Sequence, residues 1–205
     1  MKKFFALAVS MIFASQAQAG LYLEPYLGYA FGSSETKGKT AGTTTNKHDY
    51  NVPYLGGRVG YGMMGLSLGL DYSMTLGDYD IDVSSPAGTT NTDKYANTAL
   101  GVFANFDFPV LPLRVWGTYF LDWESETKTS TTAGNVGDTD SGKGIGLGVG
   151  FTGLPFLAIN LELRKITIDE SKDASTGVVT AHPTTAREEP KIQEIILSVS
   201  APFDF

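Results

Sequence analysis

The stretch Leu157-Ala158-Ile159-Asn160-Leu161-Glu162-Leu163-Arg164 decides the fold. Leucine or isoleucine holds every odd position, while Asn160, Glu162 and Arg164 hold even ones. Successive side chains of a strand point to opposite faces, so this segment has one aliphatic face and one charged face. The same alternation recurs in seven further segments. Strands are expected near 21–32, 50–61, 65–76, 95–108, 112–124, 143–152, 156–168 and 191–205. One face collects rows such as Leu21, Leu23, Leu27, Tyr29 and Phe31, or Leu66, Leu68, Leu70, Tyr72, Met74 and Leu76. No charge interrupts these rows until Lys165, at a strand end. The other face collects Glu24, Arg58, Asp71, Asp107, Arg114, Asp122, Glu162, Arg164 and Glu194.

The connections alternate strictly. Short ones fall near 62–65, 109–112 and 153–155, and long polar ones near 33–49, 77–94, 125–142 and 169–190. This predicts an all-β, eight-stranded, antiparallel up-and-down arrangement with both termini at the short-turn end. A soluble sandwich or barrel would show the same periodicity with its apolar face inside. Two further features favour an apolar exterior. The polar face is rich in glycine and mixed in charge, which suits a filled lumen. Aromatics sit at both ends of the apolar rows: Tyr29, Phe31, Tyr72, Tyr119 and Trp123 at one rim, and Tyr61, Phe106, Phe108, Phe151, Phe203 and Phe205 at the other. Two such girdles around an aliphatic band, with short turns at one end and long loops at the other, are the signature of a transmembrane β-barrel. In hydrocarbon every backbone N–H and C=O must be paired, which for strands requires a closed barrel.

The first 19 residues read as an export signal. Lys2 and Lys3 precede the apolar run 4–14, and Ala17-Gln18-Ala19 gives a small-x-small cleavage site before Gly20. Residues 20–205 are then one barrel domain in the outer membrane of a Gram-negative bacterium. The chain has 205 residues, a net charge of -7, two histidines and no cysteine. The acidic balance argues against nucleic acid as a partner. Without cysteine there is no disulfide framework or Cys-based metal centre.

The last strand is the most specific signal. Leu197, Val199, Ala201, Phe203 and Phe205 alternate back from a C-terminal phenylalanine. This resembles the signal that outer-membrane barrels present to their assembly machinery. With Gly20–Gly32 as a first strand, the whole mature chain resembles the small eight-stranded outer-membrane barrels of the OmpA-transmembrane-domain, OmpX and OmpW type. The resemblance implies contact with outer-membrane lipid and lipopolysaccharide, and with the barrel assembly machinery during biogenesis. The pairing of first and last strands makes a monomer the expectation.

An eight-stranded barrel has an interior that side chains just fill, so its charges should neutralise one another. Three pairs are expected: Glu24 with Arg58, Asp107 with Arg114, and Arg164 with Glu194. Gly144, Gly146, Gly148 and Gly150 should point inward and leave room for Trp116 and Phe120. Gly148–Gly153 spells GxGxxG, but it leads into a turn and strand, so it is no dinucleotide site. His48 and His182 fall in loop regions with nothing to fix a catalytic geometry, and no catalytic residue, cofactor or metal is expected. Asp78, Asp80, Asp82 and Asp93 offer oxygen ligands for a divalent cation, yet lack the rest of a calcium loop, so a solvated acidic loop is the expectation. Lys165 faces lipid at the outer rim, where it meets a lipopolysaccharide phosphate or extends to the interface.

Two functions follow. The first is a non-enzymatic envelope protein whose plugged barrel anchors four surface loops for envelope integrity or surface interaction. The second is a narrow channel for ions or small molecules, or an OmpW-like conduit for apolar solutes, suggested by Trp116, Phe120 and Ile196 inside. A surface enzyme and a soluble secreted sandwich are weaker alternatives.

Overall fold

The computed structural model describes residues 20–38, 46–84, 90–130, 135–184 and 188–205. The expected signal segment with Ala17 and Ala19 lies outside them. Eight antiparallel strands form the barrel wall: β1 (Gly20–Thr36), β2 (Asn46–Met63), β3 (Leu66–Thr75), β5 (Thr90–Asp107), β6 (Leu113–Thr129), β7 (Thr139–Leu154), β8 (Leu157–Lys172) and β10 (Lys191–Ser200). Each pairs with the next in this order, and β10 pairs with β1 as well as β8, which closes the ring. Three short strands extend it: β4 (Tyr79–Ser84) on β5, β9 (Val179–Ala181) on β8 and β11 (Phe203–Asp204) on β1.

The burial pattern decides which face is inside. Leu21, Leu68, Leu147, Leu163 and Leu197 are all half or more exposed, whereas Glu24 and Asp71 are completely buried. A water-soluble domain would reverse this assignment. The wall is therefore aliphatic outside and polar inside, as a bilayer-spanning barrel requires.

The turns follow their residues. Met64 and Gly65 both take positive φ, 57° and 78°, between Met63 and Leu66. That is the two-residue hairpin turn whose twist matches the strands. Pro155 followed by Phe156 at φ 62° turns β7 into β8. Proline presets the first turn position, and the second carries the left-handed cost. Pro202 has no N–H to donate, and the expected last strand accordingly breaks into β10 and β11 around it. The ladder still reaches the C-terminus, where Leu21 and Phe205 exchange two backbone hydrogen bonds of 3.0 Å.

The expected long loops are shorter than the composition suggests. β1 and β2 stay paired to Thr36–Asn46, β4 occupies part of 77–94, and β6, β7 and β8 run to Thr129, Thr139 and Lys172. Thr- and Ser-rich segments cannot form a core, but their backbones continue a ladder that is already nucleated, and threonine favours extended backbone.

One assignment on β6 is corrected. The register slips between Phe120 and Trp123, leaving an extra residue in that strand. A bulge of this kind reverses the in–out parity beyond it. Trp123 is therefore buried inside, 1% exposed, and is no part of the outer girdle. Asp122, expected in the lumen, is exposed. Tyr29, Phe31, Tyr72 and Tyr119 keep their outward positions, as do Tyr61, Phe151, Phe203 and Phe205 at the other rim.

Candidate functional site

The lumen near the short-turn end holds a buried charge network centred on Arg58 of β2. Its Nε donates to Asp71 Oδ2 at 2.9 Å, Nη1 to Glu24 Oε2 at 3.2 Å and Nη2 to Glu162 Oε2 at 2.8 Å. One guanidinium thus binds carboxylates from β3, β1 and β8, the planar fork being suited to several acceptors at once. The Trp116 ring lies 4.4 Å from the guanidinium carbon and the Tyr26 ring 5.2 Å. Such stacking satisfies a cation faces-on where no water can reach.

Each carboxylate has further donors. Glu24 accepts from Arg114 Nη1 and Ser200 Oγ on Oε1, both at 2.7 Å, and from Tyr22 OH on Oε2 at 2.6 Å. Asp71 accepts from Tyr26 OH at 2.8 Å. Glu162 accepts from Trp116 Nε1 at 3.1 Å and from Arg164 Nε at 2.6 Å. Arg114 also binds Asp107 at 2.7 Å, at the short-turn end. A buried network satisfied at this level rigidifies the section it crosses.

The first two expected pairs, Glu24–Arg58 and Asp107–Arg114, are present. The third is corrected. Arg164 and Glu194 are opposed in register, but the Arg164 side chain leans towards the short-turn end. There it finds Glu162, Ser73 Oγ at 3.0 Å and Tyr26 OH at 3.4 Å, and stacks on Phe120 at 4.8 Å. One carboxylate, one hydroxyl and one phenol there outcompete a single carboxylate across the strand. Glu194 instead accepts from Tyr50 OH at 2.7 Å, and its Oε2 has no hydrogen-bond partner.

Beyond the charges lies an apolar layer. Tyr54, Phe120, Trp123, Ile166 and Ile196 pack with Tyr50, Tyr79 and Ile192 into one cluster. Seven wall strands send side chains into these two layers, and β7 sends glycines. A Cβ on Gly148 would lie 2.1 Å from the Trp116 ring, and one on Gly146 3.2 Å from Phe120. The same device seats Tyr26 on Gly56 and Tyr50 on Gly32. Sequence reasoning missed the donors Tyr22, Tyr26 and Ser200. For Tyr22 and Ser200 the signal was an inward-parity hydroxyl beside Glu24 on the same or the neighbouring strand, whereas Tyr26 reaches past β2 to Asp71 on β3, which strand adjacency does not reveal.

The other candidates fare differently. His48 lies on β2, opposite Ser34, rather than in a loop. His182 Nε2 lies 2.8 Å from Ser171 Oγ, which donates to Asp140 Oδ1 at 2.5 Å. The serine sits between acid and imidazole, and His182 Nδ1 has no partner. An activated nucleophile needs the imidazole in the middle. Here the chain of three groups ties β7, β8 and the segment after β9 together. Burial pushes the Asp140 carboxyl above its ordinary range, against the Ser171 hydrogen bond and the His182 charge. Asp78 and Asp80 are exposed while Asp93 is buried, and the Asp82 side chain lies outside the described residues. Among the described residues no three acidic or imidazole groups converge as metal ligands.

A closed eight-stranded wall, apolar outside and charged inside, agrees with the family to which the sequence compares. The outer membrane protein beta-barrel domain model matches residues 4–203. The chain belongs to that family. It is an integral outer-membrane β-barrel. Among solved structures it is similar to OprG from Pseudomonas aeruginosa, at 12% identity and a TM-score of 0.58, covering 92% of this chain and 98% of that one. Neisserial surface protein A is similar at 16% identity and a TM-score of 0.51, with 91% and 99% covered. Ail of Yersinia pestis, solved with a heparin analogue, gives 12% identity and a TM-score of 0.52, with 90% and 99% covered. At these identities the likeness concerns the fold. No curated protein matches the sequence.

Proposed function

We propose that this barrel is a non-enzymatic anchor whose closed lumen carries no solute and whose four long hairpins stand outside the cell. The observation that carries the reading is the Arg58 network with the apolar layer above it. Glu24, Asp71 and Phe120 are each 0% exposed, so two successive layers of side chains block the axis. Trp116, Phe120 and Ile196, which suggested a conduit, are buried in those layers rather than lining an open path. Gly20 and Phe205 lie at the short-turn end, which this reading assigns to the periplasm, and the ring leaves no wall strand unpaired, which supports a monomer. The outward Leu197, Val199, Phe203 and Phe205, with Ala201 between them, present the assembly signal along the closing strand.

The native chain has no cysteine, so single cysteines report orientation cleanly. Thr176→Cys, beyond β8, should react with a membrane-impermeant maleimide on intact cells. Val110→Cys, in the β5–β6 turn, should react only after lysis. The reverse pattern would overturn the orientation. Refolded protein in proteoliposomes should leave a potassium gradient intact, and rapid dissipation would contradict the closed lumen.

A further inference from the structure

The outer wall carries a lopsided ring of charge just above its aliphatic belt. Lys143 of β7 and Lys191 of β10 are both paired with Thr167 of β8, one on each side. Lys165 lies one outward position lower on β8, flanked by Ile145 and Gln193. All three lysines are exposed and point away from the lumen. Adjacent strands are about 4.8 Å apart, so Lys143 and Lys191 stand about 10 Å apart at the backbone. Two side chains at that spacing can converge on one anion. Carboxylates also lie nearby: Asp169, 4.0 Å from Lys143, Glu35, opposite Lys191 in register and 3.6 Å from Lys37, and Glu188 and Glu189 just before Lys191 in the chain. On β6, by contrast, the positions above the belt carry Asp122, Glu124 and Glu126, with one lysine, Lys128, paired to Glu126. The cluster of three lysines therefore belongs to one face, while Lys47, Lys94 and Lys128 stand singly on other strands.

Below the lysines the wall has an apolar depression of about 380 Å³, lined by Ile145, Leu147, Leu163, Lys165, Gln193 and Ile195. We infer that Lys143, Lys165 and Lys191 form a binding site for the phosphorylated glucosamine headgroup of a lipopolysaccharide, with the depression beneath taking the start of an acyl chain. The inference rests on the orientation proposed above, which places this rim in the outer leaflet. The ligand must be anionic at the height of the lysines and apolar one row lower. A phosphorylated lipid meets both conditions, and a pair of phosphates suits a triangle of ammonium groups spread over two rows better than one phosphate does. Lysine binds phosphate as a point charge, so affinity should fall with salt.

The test is titration of the refolded barrel in a non-ionic detergent with hexa-acyl diphosphoryl lipid A, read by native mass spectrometry. Monophosphoryl lipid A and phosphatidylglycerol are the comparison lipids. The wild type should bind the diphosphoryl lipid at least tenfold more tightly than K143Q/K165Q/K191Q. The charge-preserving K143R/K165R/K191R should keep its affinity, as should K94Q/K128Q, which removes two cations elsewhere. A heat-dependent gel shift establishes that each variant is folded, and K165Q alone serves if the triple variant is not. Binding within twofold of wild type by the triple glutamine variant would overturn the site. Equal loss in K94Q/K128Q, or equally tight phosphatidylglycerol, would reduce it to general anion attraction and also overturn it. Failure of the orientation reading is distinguishable: Thr176→Cys would stay unlabelled on intact cells while lipid A binding in detergent persisted.

Discussion

Arg58→Ala is the sharpest probe of the lumen. Arg58 is 2% exposed and binds three carboxylates. After its removal Glu24 keeps Arg114 and Glu162 keeps Arg164, but Asp71 loses its hydrogen-bonded cation and retains the Tyr26 hydroxyl. Stranding a buried charge typically costs about 3–5 kcal/mol. At about 1.4 kcal/mol per tenfold, that lowers the folding equilibrium constant by roughly two to three and a half orders of magnitude. Arg58→Met with Asp71→Asn removes the stranded acid as well and should recover more than half of the loss, because a paired replacement avoids an unpaired group. Equilibrium urea unfolding in short-chain phosphatidylcholine vesicles, followed by tryptophan fluorescence and gel shift, measures both variants. A midpoint for Arg58→Ala equal to wild type, at an unchanged denaturant slope, would refute the network as a stabilising unit.

Other outcomes follow from single contacts. Gly148→Ala places a methyl 2.1 Å from the Trp116 ring and should cost about 1–3 kcal/mol by overpacking, measured in the same titration. Trp123→Ala should cost about 3–5 kcal/mol because the ring fills the lumen, and a loss below about 1 kcal/mol would return it to the membrane girdle. The Asp140 carboxyl, raised by burial, binds its proton more tightly folded than unfolded, so its contribution to stability is largest at low pH and is lost as pH rises. Asp140→Asn should therefore flatten the acid-to-neutral dependence of amide-exchange protection around Ser171, and an unchanged dependence would count against it. Phe205→Ala should slow assembly in cells while the purified variant still refolds, as a pulse-labelled gel shift would show.

Much of this architecture was legible because the alternation is strict. The segment Leu157–Arg164 gave its faces, its neighbours followed by symmetry of pattern, and the inward glycines of β7 pointed to Trp116 and Phe120. What escaped has local causes. A bulge adds one residue and flips parity without changing composition, so Asp122 and Trp123 changed sides unseen. Cross-strand register makes Arg164 and Glu194 neighbours, but a long side chain leans along the barrel axis, and only three-dimensional packing shows that it meets Glu162. Polar repeats such as 125–129 read as loop because they bury no apolar surface, although their backbones extend the wall. The role of Tyr22 and Tyr26 as donors to buried acids depends on reach, which period-2 reasoning does not contain.

The central claim is that the lumen is closed by packed side chains. Single-channel recording of the refolded wild-type barrel in a planar bilayer tests it most directly. The account predicts a silent wild type in molar salt, with folding verified by gel shift, and conductance steps only in variants that empty both layers, such as Arg58→Ala and Trp116→Ala combined with Phe120→Ala and Trp123→Ala. Reproducible, salt-dependent steps from the wild type would contradict it and make the protein a channel.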